Sequence, residues 1–357
     1  MNNTTLAANE STPEVGWTYA LKVVTYAHVG YSIQGGVQIW ANALVVLAIY
    51  FNPKLRNKDY CLPAMLALGD LAMGFANCTG GIRRLVLIGT WQHLDPVTSM
   101  YCALTIPMFW WNWAGYVTNA FMVVISVDRC IACWNPLTYM KITSSILLKV
   151  GGMVYLVSFL MTGVLYADLF IRMPTEPQPK FCYMHGTFNK VFLDLGRQYL
   201  VYTGIASVVI YLVALFFMNC RRGGGEGSEM MRRNRERQMK VTKMLLLVVM
   251  MSFFLQTAPT AVRTVLYALG AKSIVVLNPV MWAVISMNHL NNTAIYVWKN
   301  ADMRHSIFSL MKCQKPKNPV APVTKAKSSG KLQAVKTQPT ASGKTTAVTA
   351  VKPEKTG

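Results

Sequence analysis

Seven apolar stretches, each long enough to cross a bilayer, occupy most of the first 300 residues of this 357-residue chain. No other feature narrows its possible folds so far. A hydrocarbon core about 30 Å thick takes about 20 residues at about 1.5 Å per residue. The stretches lie near 28–51, 61–88, 103–128, 146–170, 195–219, 241–269 and 274–298. The second and sixth exceed the span, so tilting, kinking or protrusion beyond lipid is expected of them. With 53% hydrophobic and only 14% charged residues, the chain is too apolar for a soluble domain of its length. The reading is an all-α membrane protein, a seven-transmembrane helix bundle with a short amphipathic helix after the seventh span and a disordered C-terminal tail.

Orientation follows from Lys and Arg in short loops rather than from the net charge of +21. Lys54, Arg56 and Lys58 follow the first span, Arg129 and Lys141 flank the connection after the third, and Arg221, Arg222, Arg232, Arg233, Arg235 and Arg237 separate the fifth from the sixth. The alternate loops are poor in base: Gly89 to Tyr101 has none, and the turn after the sixth span has only Lys272. The expected topology is an extracellular N-terminus and a cytoplasmic C-terminus in the plasma membrane. The polar start shows no basic region followed by a cleavable apolar core, so the first span is expected to direct insertion. The expected division is an extracellular segment over 1–25, a seven-span domain over 26–300, a membrane-surface helix over 301–313 and a basic cytoplasmic tail over 314–357.

Asn2, Asn3 and Asn9 each open an Asn-x-Ser/Thr triplet, which an extracellular N-terminus would make available for glycosylation; such triplets also arise by chance in Asn/Thr-rich sequence. Asn77 opens another but lies within the second span, out of reach. Beyond Lys312 the composition turns to Pro, Lys, Thr, Ser, Ala and Gly without apolar periodicity, too little apolar surface to offset chain entropy. Its lysines suit anionic inner-leaflet lipid, at about 1 kcal/mol each near the surface, and the seven spans argue against a nucleic-acid partner. Cys102, at the outer end of the third span, and Cys182, in the second extracellular loop, share an oxidising compartment and are expected to pair. Asn300 to Met311 places Ile307, Phe308 and Met311 on one face, as a helix on the inner leaflet would. Cys313 follows it, either palmitoylated or an unmodified thiol.

Asp128-Arg129 at the end of the third span, Pro136-Leu137-x-Tyr139 just after it, and Asn292-x-x-Ile295-Tyr296 near the end of the seventh together resemble the rhodopsin-like (class A) G-protein-coupled receptors. The resemblance covers roughly residues 25–312. Arg-Cys in place of Arg-Tyr, with other lost signatures, looks most like the nematode serpentine chemoreceptors of the Srsx type or a related group. It implies a receptor, not an enzyme, that binds an extracellular small molecule or short peptide and activates a heterotrimeric G protein.

Intramembrane acids are costly, by about 2.5–3.5 kcal/mol on insertion scales, and mark function by default. Asp70 matches the family's second-helix acid, and Asn42, Thr118, Asn288 and Asn292 match positions around it. Asp70 with Thr118, Asn288 and Asn292 could hold an allosteric sodium ion through oxygen ligands, or these residues form a hydrogen-bonded network that only ties helices together; no other cofactor is implied. The resemblance makes Asp128, Arg129 and Tyr296 the coupling switch, with a guanidinium that stays charged at any physiological pH. At the foot of the sixth span, where many relatives carry an acid, this chain has Met239, with Glu236 about one turn earlier. A weak resting lock and appreciable basal signalling are therefore expected. The cytoplasmic partner surface would include Arg129, the Pro136 turn and the basic stretch from Arg232 to Lys243, which also suits a solvated amphipathic helix.

Phe253 and Pro259 take the family's helix-six hinge positions, and Pro259 removes an amide donor so that the cytoplasmic half can pivot. Gln256 and Thr257 replace the usual Cys and Trp, so the large aromatic lever is missing. Thr293 stands where the family has proline, spans four and five lack the usual tryptophan and proline, and Cys102 lies about two residues farther than usual from Arg129. For the ligand, Trp110, Trp111 and Trp113 occupy three of four helical positions and cannot all face lipid. Trp111 aligns with the inward position that holds an acid in amine receptors, which argues against an amine. With Arg263 and Tyr267 it outlines a mouth suited to an apolar or anionic small molecule or a short peptide. These arginines, like Arg83 and Arg84, could instead snorkel to headgroups. The alternative of a seven-span channel or transporter would leave the Asp128-Arg129 and Asn292-to-Tyr296 motifs as coincidences. A membrane hydrolase lacks a convergent catalytic set, and among the five scattered histidines only His289 lies deep in a span.

Overall fold

The computed structural model describes residues 14–174, 177–220, 229–269 and 274–312, with side chains placed for all of these but 14–20, 185, 229–238 and 274–279. Asn2, Asn3, Asn9, Cys313 and the segment 314–357 lie outside them. The helices are α1 (Glu14–Phe51), α2 (Lys58–Gly89), α3 (Ser99–Ala103), α4 (Ile106–Trp134), α5 (Pro136–Lys141), α6 (Ser144–Arg172), α7 (Met184–Thr187), α8 (Lys190–Cys220), α9 (Glu229–Ser252), α10 (Ala258–Ala268), α11 (Ile274–Lys299) and α12 (Ala301–Met311), with a π turn over Phe253–Thr257 between α9 and α10. Among the described residues six helices are long and apolar enough to cross a membrane: α1 from Leu21, α2, α4, α6, α8, and the run Met239–Ala268 through the π turn. α11 supplies the seventh, so the chain is a multi-pass membrane bundle.

Local sequence explains where the helices start. Asn57, Thr98, Asn135, Thr143 and Asn300 cap α2, α3, α5, α6 and α12, each side chain accepting from a first-turn backbone N–H. Pro136 opens α5, where a missing N–H does no harm. α1 begins at Glu14 rather than near residue 26. Helix formation needs only local backbone bonds, so it runs past the stretch apolar enough for lipid. The extra two residues between Cys102 and Arg129 also find their place: α3 ends at Ala103, and a break at Leu104 and Thr105 precedes α4, with Pro107 in its first turn.

α2 and α4 are the most buried spans, and α6 is peripheral. The main core joins Leu66, Val117, Phe121, Ile125, Tyr211, Leu245, Val248 and Tyr296. α12 packs Met303 and Ile307 against Val45, Ala48, Leu55 and Ala67, while Phe308 and Met311 remain exposed. The three residues expected to share one apolar face therefore divide, Ile307 inward and the other two outward. One addition to the all-α expectation is a two-stranded antiparallel pair, β1 (Pro96–Thr98) with β2 (Pro177–Pro179), in register Val97 opposite Gln178. It joins the α2–α3 connection to the α6–α7 connection.

α1 and α2 cross on glycine. A Cβ at Gly35 would lie 2.4 Å from the backbone nitrogen of Cys78, and one at Gly74 would lie 2.7 Å from Cβ of Gln38. Gly36, one residue on, faces open space. Gly35→Val is expected to lower the melting temperature of the purified protein, consistent with about 1–3 kcal/mol for overpacking a tight contact. Gly36→Ala is expected to leave it unchanged or slightly raised; equal losses at both positions would refute the close crossing.

Candidate functional site

Near the end of α4, Arg129 is 1% exposed. Its guanidinium pairs with Asp128 and donates from Nη2 to the Tyr139 hydroxyl at 2.6 Å. That hydroxyl reaches Asp59 Oδ1 at 3.4 Å. The order α4, tight turn, α5 places Tyr139 back over Arg129, and Lys58 at the start of α2 fastens the turn by donating to the Tyr139 carbonyl at 2.7 Å. Burial pushes the Tyr139 phenol well above its usual range, against the pull of Arg129, so at neutral pH it keeps its proton and can donate to Asp59 while accepting from Arg129. The sequence expectation took the lock to depend on a helix-six acid and missed this second tether. The structure supplies it from α2 and α5; the signal was Asp59 beside Lys58, one residue after a helix cap.

At mid-bundle, Asp70 is fully buried. His289 Nδ1 lies 2.7 Å from its Oδ1, and Asn292 Nδ2 donates to its Oδ2 at 3.0 Å. Both carboxylate oxygens of Asp70 are thus met by side chains of α11. Of the four residues expected around a sodium ion, only Asn292 joins Asp70 through a hydrogen bond here. Thr118 Oγ1 turns to the Gly115 carbonyl at 3.4 Å, and Asn288 Nδ2 donates to Gln256 Oε1 at 2.6 Å. With a ring nitrogen on one carboxylate oxygen and an amide donor on the other, this arrangement does not fit an oxygen cage for sodium. His289 was visible as the one deep histidine. Its place one turn before Asn292, on the same helix face, was the signal that would have added it.

The same network reaches the hinge. Ser252 Oγ lies 3.5 Å from Asn292 Oδ1, and Thr293 Oγ1, where the family has proline, donates to Asn42 Oδ1 at 2.7 Å. The kink expected before Pro259 takes the form of a widened π turn, with Ala258 N–H donating to the Phe253 carbonyl five residues back. Such turns insert one residue without breaking the helix. As a result both Gln256 and Thr257 are buried, one toward Asn288 and the other against Gly204 of α8, where an added Cβ would lie 2.0 Å from Thr257 Oγ1. Tyr296 is buried in the core, and its hydroxyl has no hydrogen-bond partner among the described residues. Tyr211 donates to the Thr242 carbonyl at 2.5 Å, tying α8 to α9.

At the opposite end Cys102 and Cys182 form the expected disulfide, with Cα atoms 5.2 Å apart. Arg83 and Arg84 hold the segment after β2: Arg83 donates to the Lys180 carbonyl at 2.9 Å, and Arg84 to those of Phe181 at 3.3 Å and Cys182 at 3.1 Å. Trp111 points inward, donating from Nε1 to Asn77 Oδ1 at 2.9 Å, with the Arg84 guanidinium 5.0 Å from its ring. Asn77, of interest in the sequence only as a triplet, in turn donates toward Gln38 Oε1 and Ser286 Oγ. One helical turn before Ser286, Trp282 lies 4.8 Å beneath the guanidinium of Arg263. Tyr267, one turn on from Arg263, is covered by Arg197 at 4.7 Å. The structure thus gathers Trp111, Arg263 and Tyr267 at the disulfide end. An apolar groove of about 400 Å³ between α4, α6 and α8, lined in part by Val150, Met153 and Val157, contains none of them.

The family model described as 7 transmembrane receptor (rhodopsin family) matches residues 41–296. No curated protein matches the chain.

Breaking a buried, hydrogen-bonded pair by removing one partner is worth about 3–5 kcal/mol. Asp70→Asn and His289→Asn are each expected to lower the melting temperature of the purified protein, and the double variant by less than the sum. Additive losses would show that the two side chains do not interact.

Proposed function

The chain belongs to the rhodopsin family of seven-transmembrane receptors, and from that membership we propose that it binds an extracellular ligand at its disulfide end and activates a heterotrimeric G protein at its Arg129 end. The proposed topology has the N-terminus outside, the C-terminus in the cytoplasm and the bundle in the plasma membrane, as the basic loops around Lys54, Lys141 and Arg221 support. The ligand is a small molecule or short peptide and the role chemosensory. The divergent Arg129-Cys130 pair supports a place near the serpentine chemoreceptors.

The observation that carries the coupling proposal is the state of Arg129. A guanidinium buried at the foot of the bundle, satisfied by Asp128 and by the Tyr139–Asp59 tether, is a held switch. Its release exposes a charged fork suited to a protein partner. Release requires α9 to move, and α9 is tied to α8 through Tyr211 and Thr242. The π turn gives that helix its pivot. Ligand contacts on α10 and α11 bear on it through Gln256–Asn288, and through Ser252, Asn292 and Asp70. Coupling of this kind is reciprocal: an agonist favours the released arrangement only by binding it more tightly, and G protein raises agonist affinity in return. The Asp70–His289–Asn292 network, rather than a bound ion, is proposed to hold the resting helices together. The unpartnered Tyr296 hydroxyl is a buried polar group that a rearrangement can satisfy.

Arg129→Ala at matched surface expression is expected to abolish nucleotide exchange on the G protein. Tyr139→Phe removes one hydrogen bond to a charged group, about 1.5–3 kcal/mol, and should raise ligand-free exchange by about tenfold, the factor that about 1.4 kcal/mol supplies. Exchange indifferent to Arg129, or ion flux through the well-expressed chain without G protein, would overturn the proposal. Ligand-free exchange unchanged in Tyr139→Phe would remove the tether from the mechanism.

A further inference from the structure

Charge at the disulfide end does not balance. Among the described residues there, Asp95 lies 3.9 Å from Lys180, Asp168 pairs with Arg172 at 2.6 Å, and Asp194 pairs with Arg197. Among the described residues no acid pairs with Arg263, which is 7% exposed and makes no hydrogen bond there; the Trp282 ring lies against it. The Nε donors of both Arg263 and Arg197 are buried without an acceptor among the described residues. Arg197 comes from α8 and Arg263 from α10, which pack against one another. Tyr267 stands beside both, 37% exposed.

A buried cation without a counter-charge carries a heavy desolvation penalty, and the face of an indole offsets only part of it. Arg84 shows the contrast: it too lacks an acid, but backbone carbonyls satisfy it. Two guanidinia on packed helices, each with a buried Nε donor that no described residue accepts, match the oxygens of an oxyanion. The flanking aromatic rings match an apolar body.

We propose that Arg263 and Arg197 form the anion-binding end of the ligand site, which takes an organic oxyanion, a carboxylate or phosphate ester, whose aromatic or apolar body lies against Trp282 and Tyr267. This rests on the receptor reading only for what supplies the ligand; binding itself requires no G protein.

The test is thermal unfolding of the full chain in phospholipid-free detergent, titrated with 4-phenylbutyrate, phenyl phosphate or the neutral 4-phenylbutyramide. At least one anion is expected to raise the melting temperature, and the amide to have no effect; which anion acts separates a carboxylate site from a phosphate site. Loss of one hydrogen bond between charged groups predicts that Arg263→Gln weakens the effect about 10- to 100-fold, with partial recovery in Arg263→Lys. Arg197→Gln, at a less buried position, gives the same reading if Arg263→Gln does not fold. The proposal is overturned if neither anion stabilises the chain, if the amide matches them, or if the variants respond as the parent does. Stabilisation by phosphatidylglycerol alone would also overturn it, by giving the site to a lipid headgroup. Anion binding that persists in a chain that activates no G protein would instead sink the coupling proposal and leave this one standing.

Discussion

A carboxylate in the middle of a membrane bundle must be neutralised by protein, because hydrocarbon offers it no water. Asp70 meets that demand with His289 and Asn292 of α11, and much of the interior follows. Asn292 faces Ser252 beside the π turn, Asn288 on the same helix takes Gln256 within it, and α1 joins through Asn42 and Thr293. The helices that a hinge would separate are thus linked through polar groups that cannot be left unpaired.

The arginines divide by the same rule. Arg129 is buried with an acid and a phenol, Arg83 and Arg84 meet backbone carbonyls, Arg197 pairs with Asp194, and Arg263 is buried against an aromatic face. Of these, Arg263 alone has no oxygen acceptor among the described residues. Arg129, at one end of the bundle, is paired with an acid and a phenol. Arg263, at the disulfide end, meets an aromatic ring instead. The two ends therefore differ in how they accommodate a buried guanidinium, and the π turn between α9 and α10 lies between them.

Much of this was legible in the chain. Apolar runs gave the spans, topology gave the Cys102–Cys182 pair, and the Asp128-Arg129 and Asn292-to-Tyr296 motifs gave the family. Pro259 gave the position of the hinge but not its form, because a π turn depends on which neighbours Gln256 and Thr257 find on α11 and α8. Helical geometry required that at least one of Trp110, Trp111 and Trp113 point inward and the family resemblance singled out Trp111, whereas its partner Asn77 was not legible, since nothing along one helix says which residue of another it faces. His289 and Asp59 were missed for the same reason: each matters through a contact more than 70 residues away in sequence.

By itself, then, the sequence determined the class and the spans, because lipid imposes a length and a polarity that any single helix must satisfy alone. Tertiary structure decided which buried polar groups meet: that His289 and Asn292 reach Asp70, that Tyr139 of α5 reaches Arg129, and that Arg263 meets the ring of Trp282. Those outcomes depend on how helices are rotated and inclined against one another. A close approach such as that of Gly35 to Cys78 sets those quantities through contacts between segments, and hydropathy along one segment carries no record of them.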